Sequence, residues 1–201
     1  MKGIMFNECY GLETAVLNGS KTRTTRIEKF CKEAGENVKN GFPRQMYLHN
    51  EIHLFNKEET GAISYKTRYR VGDIVAIKQA YNIAIHQLDW ANRLIYKNDA
   101  GWTNKMFVRA DLMPHQIKIT GVKLKRLQDI SDEDCMNEGI MKGDFINTWD
   151  KYYYDIIGDC AIHKTFKTPQ EAFASLINKI SGKGTWNRNE YNVVYYFKLV
   201  K

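Results

Sequence analysis

The chain has 201 residues, 43% of them hydrophobic, and its 30 Lys and Arg against 23 Asp and Glu give a formal charge of +7. This length and apolar content fit one folded domain, residues 1–201. No apolar run approaches the ~20 residues that cross a bilayer and the start lacks a signal peptide, so no membrane association is expected.

The basic surplus suits a protein that meets phosphates or an acidic surface, and it equally suits a charged face that only keeps a protein in solution. The four cysteines have no paired spacing, in a chain long enough not to need disulfides. We therefore expect reduced thiols and a cytoplasmic protein.

The first half of the chain predicts short strands around one clear helix. A helix over 8–18 has its apolar residues on one face and ends at Gly19. Residues 28–50 are polar and weakly patterned, with a helix expected near 28–36. Strands are predicted from their β-branched or alternating apolar residues at 3–6, 22–27, 52–55, 61–65 and 74–78.

The second half predicts two strands, three helices and a closing strand. An irregular stretch, 83–105, is followed by alternating patterns at 116–120 and 122–127. Ser131 opens a capping box for a helix over 131–138, and Thr168 caps a helix over 169–181. Trp149, Tyr152 and Tyr153 recur at helical spacing and predict a helix over 147–157. The last segment, 192–200, reads as a central strand, and the fold class predicted is α+β.

Several common sites are excluded by spacing. The segment Gly19-Ser-Lys-Thr lacks the glycine before the lysine that a phosphate-binding loop needs, and it follows a helix instead of opening one. Cys160 and His163 form only half of a zinc site, and His49 and His53 lack the glutamate of a zincin motif. No metal is predicted, and no Gly-x-Ser-x-Gly elbow supports a serine hydrolase.

The segment 19–26, Gly-Ser-Lys-Thr-Arg-Thr-Thr-Arg, resembles the signature of the ASCH domains, small β-barrels related to the PUA fold. The pattern Gly-x-Lys-Thr-x-Thr-x-Arg is met in full. The segments 70–75, 127–140 and 186–187 also resemble this family. The resemblance implies an α+β, PUA-like barrel of five or six strands flanked by helices, with insertions near 28–66 and 83–110.

The resemblance also implies a reaction. In small bacterial members that hydrolyse N4-acetylcytidine, the catalytic residues match Lys21, Thr24 and Glu138. The Thr24 hydroxyl would attack the acetyl carbonyl, Lys21 would take its proton, and Glu138 would orient groups or relay a proton to the leaving amine. No cofactor is implied. The remaining motif residues are expected to contact substrate or nucleic acid: Gly19, Thr22, Arg23 and Arg26.

Strand geometry constrains this interpretation. Residues 21 and 24 of one regular strand point to opposite faces, so Lys21 must lie in the turn before the strand. In the alternative interpretation Lys21 and Arg26 anchor a phosphate or carboxylate and Glu138 is their salt-bridge partner. We therefore predict recognition of RNA or a modified nucleoside, with hydrolysis of an N4-acylated cytidine as the enzymatic form. A non-catalytic RNA-binding module and a protein-interaction adaptor are the alternatives.

Overall fold

Strands and helices are intermixed along the chain, as the computed structural model shows for residues 1–86, 98–143, 152–154 and 165–200. The strands are β1 (Lys2–Ile4), β2 (Arg23–Arg26), β3 (Arg44–Leu48), β4 (Glu51–Phe55), β5 (Ala62–Lys66), β6 (Ile74–Ile77), β7 (Gln116–Arg126), β8 (Met141–Lys142), β9 (Tyr152–Tyr153) and β10 (Tyr191–Leu199). The helices are α1 (Leu12–Leu17), α2 (Cys31–Lys39), α3 (Tyr81–Ala84), α4 (Asp132–Asn137), α5 (Pro169–Ser181) and α6 (Thr185–Arg188). Short 3-10 turns lie at Glu8–Tyr10 and Ala110–Leu112.

The main sheet has five strands in the order β1-β6-β7-β10-β2. The long strands β7 and β10 pair antiparallel at its centre, β1 runs parallel to β6, and β2 pairs antiparallel with β10. Among the described residues, β1 and β2 are therefore the two edges of an open sheet. The coarse α+β prediction is confirmed.

The strand β7 is continuous where the sequence predicted two strands. Its buried residues change phase along the strand, from Ile117 and Ile119 to Val122 and Leu124. The pairing with β10 shifts register at the same place, between Tyr196 and Phe197. This irregularity adds one residue to β7, so both halves keep their apolar side chains in the core.

The predicted insertion 28–66 has structure of its own. It contains α2 and a second, three-stranded antiparallel sheet in the order β3-β4-β5. The strand β3 was not predicted because most of its side chains are exposed and carry no alternating pattern. The turn residues His49 and Asn50 have φ of 48° and 67°, the left-handed conformation of a tight hairpin. Gln45 joins the two sheets through hydrogen bonds with the backbone of Leu124, at 2.7 and 3.1 Å.

Two helix predictions need correction. The segment 8–18 is divided at Gly11, whose φ of 63° separates the first 3-10 turn from α1. The helix predicted over 147–157 is wrong at Tyr152–Tyr153, which form β9 and pair with β8. The Tyr152 backbone also exchanges hydrogen bonds with Phe166, at 3.1 and 2.8 Å. Successive aromatic residues are compatible with a strand as well as with a helix. The hydrogen bonds to Phe166 and the pairing with β8 select the strand. Residues 147–151 and 155–157 lie outside the described residues.

The main core lies between the five-stranded sheet and the helices that cover it. Leu12 and Val16 of α1 join it from one side, and Phe173 and Leu176 of α5 from another. Cys9, Cys31 and Cys135 carry free thiols, and Cys160 and His163 lie outside the described residues. Within the described parts of the chain, no helix is long and apolar enough to cross a membrane.

Candidate active site

A cavity of about 760 Å³ lies where the two edges of the main sheet approach each other. One wall is the segment 5–9 that follows β1, and another is residues 24–27 of β2 and its end. The loop 103–106 and the helix α5 supply the remaining walls. Lys21, Thr24, Thr25 and Glu138 form what we call the polar floor of this cavity. The three residues predicted to be catalytic thus all line this one cavity.

Lys21 lies in the turn between α1 and β2, as the geometry of the motif required. Its backbone N–H donates to the carbonyl of Ala15 at 2.8 Å, which fixes the turn. The side chain is 2% exposed. Its ammonium group donates to the carboxylate Oε2 of Glu138 at 2.7 Å and to the backbone carbonyl of the same residue at 2.6 Å. The lysine is therefore held at one position by two bonds to one residue.

Glu138 stands at the C-terminal end of α4, and the fold fixes it from both sides. The helix begins at Ser131, whose side chain accepts from the N–H of Asp134 at 3.1 Å. It stops at Gly139, whose φ of 103° favours glycine and where a Cβ would lie 3.0 Å from Leu12. The second carboxylate oxygen accepts from the Thr25 hydroxyl at 2.5 Å.

The surroundings of Lys21 on the polar floor lower its pKa. Burial lowers the pKa of Lys21 because it removes water from the ammonium group, while the carboxylate of Glu138 opposes this shift and raises the pKa. Arg26 and Arg23 lower it further by charge repulsion. Burial is the largest effect, so the pKa lies below its ordinary value of 10.5. A lysine of this kind can act as a proton acceptor nearer to neutral pH.

Thr24 lies in β2, opposite Tyr195 of β10, and is 4% exposed. Its side chain lines the cavity, and no described residue makes a hydrogen bond with its hydroxyl. The hydroxyl is thus available to a ligand in the cavity, whereas the neighbouring Thr25 hydroxyl is already bonded to Glu138.

The backbone of Thr25 also faces the open edge of the sheet. The carbonyl of Thr22 accepts from the N–H of Phe197 in β10 at 2.8 Å. Backbone groups alternate sides along an antiparallel strand. The N–H and C=O of Thr24 therefore also point toward β10, and those of Thr25 point away from it. Thr25, the residue after the candidate nucleophile Thr24, therefore offers the cavity one N–H donor and one C=O acceptor.

Arg26 closes the gap between the two sheet edges. Its guanidinium donates to the backbone carbonyl of Met5 at 2.5 Å and lies over the ring of Phe6, 5.6 Å from the ring centre. Residue 5 follows β1, and residue 26 ends β2, so this side chain spans the cavity wall where no strand pairing exists among the described residues.

Three of the predicted contact residues do not line the cavity. Gly19 is exposed in the turn with φ of 80°. Thr22 bonds to Asn137 through its hydroxyl, at 3.0 Å, and through its N–H, at 3.1 Å. Arg23 is 2% exposed and is ion-paired with Asp134, because this face of β2 is covered by α4. Thr22 and Arg23 hold α4, and with it Glu138, against β2.

Sequence reasoning missed Lys105, which forms part of the opposite wall. Its ammonium group donates to the carbonyl of Phe6 at 2.6 Å and to the buried carboxylate of Glu13 at 3.2 Å. Gln79 donates to the other oxygen of Glu13 at 2.9 Å. Glu13 on the inner face of α1 was the one available signal, since an unpaired carboxylate among apolar helix positions predicts a buried partner.

His53, one of the histidines considered for metal binding, has other partners. The ring of His53 is bonded to the carbonyl of Leu48 at 3.1 Å and to the hydroxyl of Ser64 at 2.7 Å. No group of three His, Cys, Asp or Glu side chains within the described ranges is placed to hold a metal ion.

No protein-family model, curated protein or solved structure matches the chain. The resemblance to ASCH domains therefore rests on the motif residues, and the site is interpreted from its own geometry.

Proposed function

We propose that the protein is an ASCH-type, PUA-like domain that binds a modified nucleoside in the cavity and hydrolyses the amide of an N4-acylated cytidine. The observation that carries this proposal is that the buried pair of Lys21 and Glu138 lines the same cavity as Thr24, whose hydroxyl has no hydrogen bond to any described residue. A nucleophile, a base of lowered pKa and a carboxylate in one cavity are groups that acyl transfer uses.

In the first step the Thr24 oxygen attacks the acyl carbonyl carbon, and the hydroxyl proton passes to the neutral amine of Lys21. The tetrahedral intermediate then breaks its C–N bond, and the leaving N4 amine takes a proton from Lys21, directly or through Glu138. An ester on Thr24 remains. Water attacks that ester with Lys21 again as base, which releases the carboxylic acid and restores the hydroxyl.

The tetrahedral intermediate carries negative charge on the former carbonyl oxygen. The N–H of Thr25, which points away from β10, is the nearest backbone donor after the nucleophile. A donor in this position stabilises such an oxyanion in other acyl-transfer enzymes. The buried floor strengthens the interaction because little water is present to screen it.

The sheet topology supports the PUA-like part of the proposal. The strand order β1-β6-β7-β10-β2 would close into a barrel if β1 and β2 paired. Instead Arg26 bridges these two edges through the carbonyl of Met5, and the cavity occupies the gap. A barrel opened at one seam would give a small ligand access to the strand edge.

The test is release of the free acid from N4-acetylcytidine by the wild-type protein and by Thr24→Ala. We expect turnover by wild type and only background hydrolysis by Thr24→Ala, because the variant keeps the cavity and loses the nucleophile. Thr60→Ala is the matched control, since Thr60 is exposed in the turn between β4 and β5 and does not line the cavity. Chromatographic detection of cytidine measures the rate. Equal turnover by wild type and Thr24→Ala, or none by wild type on any acylated nucleoside, would overturn the proposal.

A further inference from the structure

The mouth of the cavity is lined by exposed apolar side chains from four separate segments. Met5 is 36% exposed, Ile27 56%, Met106 64% and Ile180 39%, and all four line the same cavity. We call them the apolar rim. Single exposed apolar residues are common on protein surfaces, but a group around one opening indicates a binding surface.

The rim is continuous with an apolar stripe on α5. Phe173, Leu176, Ile177 and Ile180 are spaced so that they share one face of the helix, and all four line the cavity. Phe173 and Leu176 are each 2% exposed, and Ile180 is 39% exposed. The stripe therefore leads from the buried interior of the cavity to its mouth.

Three cations that line the cavity already have polar partners, although the buried Nε of Arg26 has none among the described residues. Lys21 is paired with Glu138, and Arg26 is bonded to the carbonyl of Met5. Lys105 is bonded to Phe6 and to Glu13. The part of a ligand that lies along the stripe and rim meets the hydrocarbon of these apolar side chains.

Resting on the proposed hydrolysis, we infer that the preferred substrate is a nucleoside whose amide carries an extended alkyl acyl group, which runs from Thr24 along the α5 stripe to the apolar rim. Cytosine carries polar groups at O2, N3 and N4 and ribose carries hydroxyls, and burying these against isoleucine and methionine would leave them unpaired. The acyl chain is the one part of the substrate that matches this surface. Each methylene it buries is worth about a fourfold gain in kcat/KM.

The experiment compares N4-acetyl-, N4-butyryl- and N4-hexanoylcytidine as substrates of the full-length protein. We expect kcat/KM to rise with each added methylene. Ile180→Ser should reduce the ratio of hexanoyl to acetyl kcat/KM several-fold because it removes one side of the rim. Leu48→Ser is the matched control and should keep the wild-type ratio, since Leu48 is 40% exposed and lies in β3, away from the cavity.

The outcomes separate this inference from the proposed function. Hydrolysis of the acetyl compound at the same or a higher kcat/KM than the hexanoyl compound overturns the inference and leaves the hydrolase proposal intact. If no compound is hydrolysed, the proposed reaction is wrong. The apolar subsite is then tested by measuring the affinities of the same compounds by calorimetry. Affinity that rises with chain length and depends on Ile180 supports the apolar subsite, whereas equal affinities reject it.

Discussion

At the scale of single residues, the site depends on how Lys21 is buried. A buried ammonium ion loses its hydration. Here one carboxylate, that of Glu138, compensates for part of that loss, while Arg26 and Arg23 repel the positive charge. Glu138 is shared among Lys21, Thr25 and Arg23, whose Nε lies 3.4 Å from Oε1. The carboxylate therefore fixes the lysine in place without fully stabilising its charge.

The lowered pKa of Lys21 predicts the pH dependence of the reaction. The base must be neutral, so kcat/KM should rise with pH through the pKa of Lys21, with its midpoint below the ordinary value of 10.5. Lys21→Arg should abolish this ascending limb and the activity, because a guanidinium does not lose its proton in this range. Initial rates in buffers of constant ionic strength measure the profile. A midpoint at or above 10.5, or an active Lys21→Arg variant, would contradict a basic role for Lys21.

At the scale of secondary-structure elements, two capped helices bear on the site in different ways. The helix α4 carries Glu138 at its end, and α5 supplies the apolar wall. Each begins with a side-chain cap: Ser131 accepts from the N–H of Asp134 at 3.1 Å, and Thr168 accepts from the N–H of Glu171 at 3.2 Å. The caps set where each helix starts and so set the register of the side chains that face the cavity.

Both caps should stabilise the protein by similar amounts. We expect Ser131→Ala and Thr168→Ala each to lower the free energy of unfolding by about 1 kcal/mol, because each leaves a helix N–H without its partner. Ser131→Asp and Thr168→Asp keep an acceptor and serve as the controls. Urea denaturation followed by circular dichroism measures the change. If the alanine variants unfold at the same urea concentration as the aspartate variants, these hydrogen bonds do not stabilise the helices.

At the scale of the whole molecule, the charge of +7 is not concentrated in the cavity. Among the basic residues between positions 21 and 44, Arg23 is buried against Asp134, and Arg44 is paired with Glu59. Lys29 and Lys32 are exposed near the start of α2. RNA binding, if the protein has it, would use surface lysines of this kind instead of the polar floor.

This distribution predicts that RNA affinity and hydrolysis respond differently to salt. The affinity for a single-stranded RNA should fall as salt rises from about 50 to about 200 mM, whereas kcat/KM for a neutral acylated nucleoside should change little. Replacing both Lys29 and Lys32 with Ala should reduce the salt slope by about 2. Arg44→Ala is the control, because its guanidinium is already paired with Glu59. Fluorescence anisotropy measures the affinity. Affinity that does not depend on salt would show that the basic residues serve only as a solvated surface.

Local features of the sequence were sufficient for several elements and for part of the site. The caps at Ser131 and Thr168 and the turn before β2 follow from interactions between residues close in the chain. The motif 19–26 placed Lys21 before the strand and Thr24 within it, and the structure agrees with that placement. Its resemblance to ASCH domains also selected Glu138, which no spacing argument alone would have paired with Lys21.

The tertiary structure decided what depends on contacts between distant segments. The sequence could not show that β9 is a strand, because Tyr152 owes that state to pairing with Met141–Lys142 and Phe166. It could not identify Lys105, since the partners of this lysine lie about ninety residues earlier in the chain. The sequence also gave no sign that Arg23 is buried while Arg26 reaches the cavity. Alternation along a strand shows that its side chains divide between two faces, but only the packing of the folded protein shows which face α4 covers. The cavity itself arises because the two sheet edges meet without pairing, and that property belongs to neither segment alone.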